Sequence, residues 1–159
     1  MTRTIDYGNL MHRAMRGLIQ EVLNDVRDNG LPGQHHFITR LMDDRRWPWI
    51  IVVPQIPDAS DIDDIHRGGL ESIVGHLADI SKTLKEMGVA DSTNVATLGN
   101  MVTQMHWHVV GRREEDPNWP GPVWGYGERE PYQQKETKQF IDEFGAAWKR
   151  AVPLLRRLP

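Results

Sequence analysis

The chain has 159 residues, 39% of them hydrophobic and 26% charged, with a formal net charge of -3. That length is enough for one core of ordinary size, and the absence of cysteine excludes disulfides, thiolate metal sites and thiol catalysis. The balance of 19 basic against 22 acidic residues gives no footprint for nucleic acid, no apolar run is long enough to span a bilayer, and no apolar leader follows Met1, so a cytoplasmic protein is expected. Six Trp stand beside three Phe and three Tyr, a bias that suits packed loops or a flat ligand wall.

Over residues 6–28, Leu10, Met11, Ala14, Met15, Leu18, Ile19, Val22, Leu23 and Val26 form the stripe of an amphipathic helix. Asp6 can cap it, and Asn29-Gly30 with Pro32 ends it. Residues 37–42 read as a strand, 43–46 as a turn and 49–53 as a buried strand closed by Pro54, together an antiparallel hairpin. The acidic stretch 58–64 lacks the glycine and terminal Glu of a calcium loop and reads as a solvated approach to a helix. That second helix covers about 70–87, with Leu70, Ile73, Val74, Leu77, Ile80, Leu84 and Met87 on one face and Gly88 at its end.

Weak strand character over 94–98 precedes a turn at Gly99-Asn100, and 104–110 is the next strand. Residues 116–131 are rich in Pro, Gly and Trp, too irregular for an element. Trp119 and Trp124 there can stack on a base or pack across the sheet. A last helix starts near Gln134, carries Phe140, Ile141, Phe144, Ala147, Trp148 and Ala151 on one side, and ends at Pro153. Strands and helices alternate without a βαβ rhythm, so the expected class is α+β with an antiparallel sheet and packed helices.

The densest chemistry is Gln104-Met105-His106-Trp107-His108-Val109-Val110. On a strand, Gln104, His106 and His108 share one face. Two imidazoles there are open to three readings: half of a metal site, catalysis on an anionic substrate, or structural histidines at a sheet surface. The remaining histidines read blandly. His35 and His36 are adjacent and face opposite ways, while His12, His66 and His76 fall on helices or their edges and are expected to be solvated.

The stretch from about Arg40 to Trp148 resembles the histidine triad (HIT) family of nucleotide hydrolases and transferases. Residues 104–110 match its His-φ-His-φ-His-φ-φ motif except at the first place. The strand from Trp47 to Pro54, the segment Asn94-Val95-Ala96-Thr97-Leu98-Gly99-Asn100 and the loop from Asp116 to Gly125 add to the likeness. The resemblance implies a HIT-like domain over 38–159 that acts on a small-molecule nucleotide at its α-phosphate, without metal or cofactor. It makes His106 the nucleophile and His108 a phosphate contact that holds developing charge. Asn94 and Asn100 would contact ribose or phosphate, and Asp43 or Asp44 the ribose hydroxyls. Gln104 takes the place of the first histidine and Trp49 that of another, so efficient protonation of the leaving group is in question, and a nucleotide-binding module without turnover is the alternative.

Residues 3–37, with Ile5-Asp6-Tyr7, Ala14-Met15-Arg16-Gly17 and the run from Gly30 to Phe37, resemble the opening of the alphaproteobacterial stringent starvation protein B family. Its members are adaptors to the ClpXP protease, and their opening helix serves dimerisation. The β-rich body that binds the degradation tag has no counterpart here. A two-part chain is therefore expected, 1–37 an amphipathic helix and turn and 38–159 the HIT-like domain, paired as a homodimer rather than working as a ClpXP adaptor.

Overall fold

The structure, a computed structural model, describes residues 37–152 in full and 19–26 by their backbone. Five antiparallel strands form one sheet in the order β1-β2-β3-β5-β4. They are β1 (Ile19–Val26), β2 (Phe37–Met42), β3 (Trp49–Pro54), β4 (Ser92–Ala96) and β5 (Trp107–Arg112). Two helices are described, α1 (Arg67–Glu86) and α2 (Gln134–Ala151), with a 3₁₀ turn at Ile62–Asp64 before α1. Among the described residues no helix is long and apolar enough to cross a membrane.

The central strand β3 is buried along its whole length, as expected of a strand covered on both faces. One face packs on the helices. Phe37, Leu41, Ile50, Val52, Met105 and Val109 meet Ile73, Leu77, Ile80 and Leu84 of α1 and Phe144 of α2. The α1 stripe repeats at three and four residues, which keeps it over the sheet for five turns. Gly88, at φ +69°, lets the chain leave that helix. On α2, Phe140, Phe144 and Trp148 stack at 6.3 and 5.9 Å between ring centroids. The amide N–H of Gln133 donates to Glu136 at 2.7 Å and closes the start of the helix.

The other face carries Trp47, Trp49, Ile51, Val53 and Val110 under Val123 and Trp124 of the 116–131 segment. That segment is strapped across the sheet. Arg45 N–H donates to the Glu130 carbonyl at 2.8 Å, Arg46 Nη1 to the Tyr126 carbonyl at 2.8 Å, and Arg129 Nη1 to Asp43 at 2.6 Å. Close approach fixes Gly111 on β5, because a Cβ there would lie 2.6 Å from Pro48 Cγ and 2.8 Å from Ala90 Cβ.

The expected hairpin 37–54 and the two helices that follow it are present. Three expectations change. Ile19–Val26 belongs to an edge strand paired with β2, not to a helix; β-branched Ile19, Val22 and Val26 suit either element, and the ladder to β2 decides between them. The remainder of the expected 6–28 helix, with His12, lies outside the described residues, as do His35 and His36. The strand expected at 104–110 begins only at Trp107. His76 is buried rather than solvated, because position 76 falls inside the α1 stripe, and its ring stacks on Phe37 at 4.4 Å.

Candidate active site

β5 and the three residues before it carry both histidines of interest. Met105, Trp107 and Val109 turn toward the helices, whereas His108 and Val110 turn toward the face under the strap, so the alternation holds through the strand entry. The His106 and His108 rings lie 5.1 Å apart at 70°, and each residue is about 5% exposed or less.

His106 Nδ1 stands 2.7 Å from the Gln104 carbonyl. A carbonyl can only accept, so Nδ1 carries the proton and Nε2 is left with the lone pair. His108 Nδ1 lies 3.0 Å from Trp49 Nε1, which donates to it. Burial, and then the neighbouring His106, push the His108 imidazole down to about 3, so it is neutral at physiological pH. Trp49, His108 and Trp124 form an edge-to-face cluster with centroid separations of 5.6 to 5.8 Å. Trp124 therefore packs against the site rings. Trp119, 40% exposed, lies over the Arg112 guanidinium at 5.3 Å.

Gln104 sits beside this pair with both polar atoms of its side-chain amide shut off from solvent and without a partner. Its Nε2–H₂ can donate two hydrogen bonds and its Oε1 can accept. Asn94 on β4 stands opposite Val110 and hence on the His108 face. Its Oδ1 accepts from Arg112 Nη1 at 2.7 Å, which leaves its Nδ2–H₂ to point elsewhere. Arg112 is itself fully buried, with Asp116 at 2.7 and 2.9 Å and the Gly121 carbonyl at 3.0 Å. Asn100 lines a pocket of about 200 Å³ with Ser60, Asp61, Thr97, Gly99 and Thr103. Thr103 immediately precedes Gln104.

Asp43 and Asp44 are buried and turned to the strap. Asp43 accepts from Arg129 at 2.6 Å and from the Tyr132 N–H at 2.9 Å, and Asp44 takes Arg46 through 2.8 and 2.6 Å bonds. The structure thus brings His106, His108, Gln104 and Trp49 together and gives the two aspartates to loop anchoring. Among the described residues no three His, Asp or Glu side chains converge as a metal-binding group. Sequence reading missed Arg112, whose Asp116 partner four residues on was a usable signal, and the Ser60, Asp61 and Thr97 lining, which only the tertiary fold assembles.

The HIT domain family model matches residues 33–115. Three solved structures resemble the chain over most of its length. A histidine triad protein of Sinorhizobium meliloti is 35% identical, with a TM-score of 0.68 over 80% of this chain and 99% of that one. One from Marinobacter aquaeolei is 27% identical, with a TM-score of 0.75 over 89% and 97%. One from Bradyrhizobium japonicum is 32% identical, with a TM-score of 0.66 over 81% and 90%. No curated protein matches the chain. The adaptor resemblance of residues 3–37 receives no support from these matches, and most of that segment lies outside the described residues.

Proposed function

The chain belongs to the HIT family, and from that premise we propose that it hydrolyses or transfers nucleotides at the α-phosphate through a covalent nucleotidyl-His106. The observation that carries the reading is the 2.7 Å contact between His106 Nδ1 and the Gln104 carbonyl. It holds the ring, fixes its tautomer and leaves Nε2 as the one nitrogen able to attack.

In the first step the Nε2 lone pair forms a bond to the α-phosphorus, and the bond from phosphorus to the leaving group breaks, the leaving group taking the electron pair. The ring becomes a phosphorylated imidazolium whose Nδ1–H still donates to Gln104, so its charge is stabilised by an acceptor already in place. In the second step a water or acceptor oxygen bonds to phosphorus and the P–Nε2 bond breaks. That returns neutral His106 and releases a nucleoside monophosphate or its ester, the acceptor's proton passing to solvent. His108 stabilises charge on the phosphate oxygens. The unpartnered Gln104 amide contacts phosphate or leaving group but cannot titrate, so protonation of the leaving group falls to solvent or substrate. Asn94 and Asn100 supply the other polar contacts, and Asp43 and Asp44 shape the ribose end by holding the strap.

Nucleoside phosphoramidates and dinucleoside polyphosphates are the substrates to test. The non-titrating Gln104 favours one second reading, a nucleotide-binding or adaptor module on the same fold. Titration with AMP, followed by NMR of the histidine ring signals, tests the site: His106 and His108 shift if it binds nucleotide, and unshifted rings overturn nucleotide hydrolysis, transfer and binding alike. Pairing into a homodimer, implied by the family resemblance, belongs to the same proposal; light scattering then reads twice the chain mass of 18.3 kDa.

A further inference from the structure

We propose that Trp49 is a positioning residue whose indole N–H holds His108 in the Nε2–H form, making that ring a permanent hydrogen-bond donor to the site. The inference rests on the reading of His106 and His108 as the reactive pair.

Indole nitrogen can only donate, so the 3.0 Å contact from Trp49 Nε1 requires a lone pair on His108 Nδ1. The ring proton must then sit on Nε2. Across the site the Gln104 carbonyl imposes the opposite form on His106, with Nδ1–H and a bare Nε2. Two chemically identical side chains are thereby given different tasks by two neighbours of opposite hydrogen-bonding character: one lone pair to attack, one N–H to meet the phosphate.

Trp49 is rigidly held for this purpose. It is buried on β3, crosses Trp47 edge to face at 6.3 Å and meets Trp124 at 5.8 Å. Protonation of His108 would place two donors nose to nose, so the indole opposes a cationic ring. The surroundings act in the same direction. From the β5 entry the ring faces His106; from the strap it faces Trp124; its β4 neighbour is Ala96. Beyond Ile51 in the same cross-strand row stands Arg40 of β2. Farther along β5, Arg112 is closed by Asp116. The rings that meet His108 are those of Trp49, His106 and Trp124, none of which carries a negative charge.

The test is NMR of the free protein with ¹⁵N-labelled histidine and tryptophan. In the native chain His108 Nδ1 should be unprotonated, Nε2 protonated, and a scalar coupling should connect Trp49 Nε1 to His108 Nδ1. In Trp49→Phe the coupling disappears and the His108 ¹⁵N signals move toward a mixture of the two neutral tautomers. The kcat/KM of a nucleotide substrate falls about tenfold, mainly in kcat, because the donor acts on developing charge. Should Trp49→Phe fold poorly, 3-benzothienylalanine at position 49 keeps the shape, removes the N–H and gives the same changes. A native His108 protonated on Nδ1, or a benzothienylalanine variant whose His108 ¹⁵N signals equal the native ones, overturns the inference. If the ring signals are as expected and nucleotide does not bind, the positioning role stands and the functional reading falls.

Discussion

Arg112 is the buried cation on which the site face depends, and Arg112→Met measures how much. Its guanidinium is about 1% exposed and places two bonds on Asp116, one on Asn94 and one on the Gly121 carbonyl. Met fills similar volume but leaves the Asp116 carboxylate, itself only 10% exposed, with the Arg113 N–H at 3.0 Å and the nearby Trp47 indole. Removing one partner of such a pair costs about 3–5 kcal/mol, because the remaining charge is buried and uncompensated. For a domain of this size each 1 kcal/mol moves the midpoint by roughly 2–4 °C, so the melting temperature should fall by about 10 °C. Circular dichroism melts and urea titrations of native, Arg112→Met and the double variant Arg112→Met with Asp116→Leu provide the assay. The double variant should recover much of the loss, since apolar replacements of both partners leave no orphaned charge. A single variant within about 0.5 kcal/mol of native, or a double variant worse than the single, refutes the reasoning.

Steady-state kinetics on a nucleoside phosphoramidate should rank three site variants: His106→Asn abolishes turnover while nucleotide binding stays within about tenfold, His108→Asn costs roughly 10²–10³ in rate, and Gln104→His is neutral or faster. Burial lowers His76 from 6.5 to about 4, so folding favours its neutral form. The stability this implies is full above pH 6.5 and is lost as pH falls toward 4, about 3 kcal/mol in all, with His108 acting in the same direction. Urea midpoints at pH 7 and 4.5 should show the loss, and His76→Phe should shrink it. Gly111→Ala should destabilise by about 1–3 kcal/mol through its clash with Pro48 and Ala90, read as a shift in urea midpoint without a change in slope.

Local pattern made the hairpin 37–54, α1 and α2 legible, because each buries a face set by its own period. The pairing of His106 with His108 was legible for the same reason: residues two apart share a face even where the strand has not yet begun. Ile19–Val26 misled because its apolar residues suit a helix stripe, and only the partner strand β2 reveals the ladder. His76 misled because attention to residue type hid its place in the stripe. Trp49 and Gln104 were visible as residues standing where others were expected, but the indole bond to His108 joins residues 59 apart in sequence and the burial of the Gln104 amide appears only in the folded chain. Asp43 and Asp44 were placed at a ribose by motif position, whereas Asp43 pairs with Arg129 of the strap and Asp44 with Arg46, two residues on in the same turn.

Mass spectrometry of the protein denatured at alkaline pH during turnover, which preserves a phosphorus–imidazole bond, tests the covalent nucleotidyl-His106 most directly. A mass increase of one nucleoside monophosphoryl group, localised to His106 and absent from His106→Asn, is the expected result. Turnover with the adduct on another residue, or undiminished turnover by His106→Asn, contradicts it.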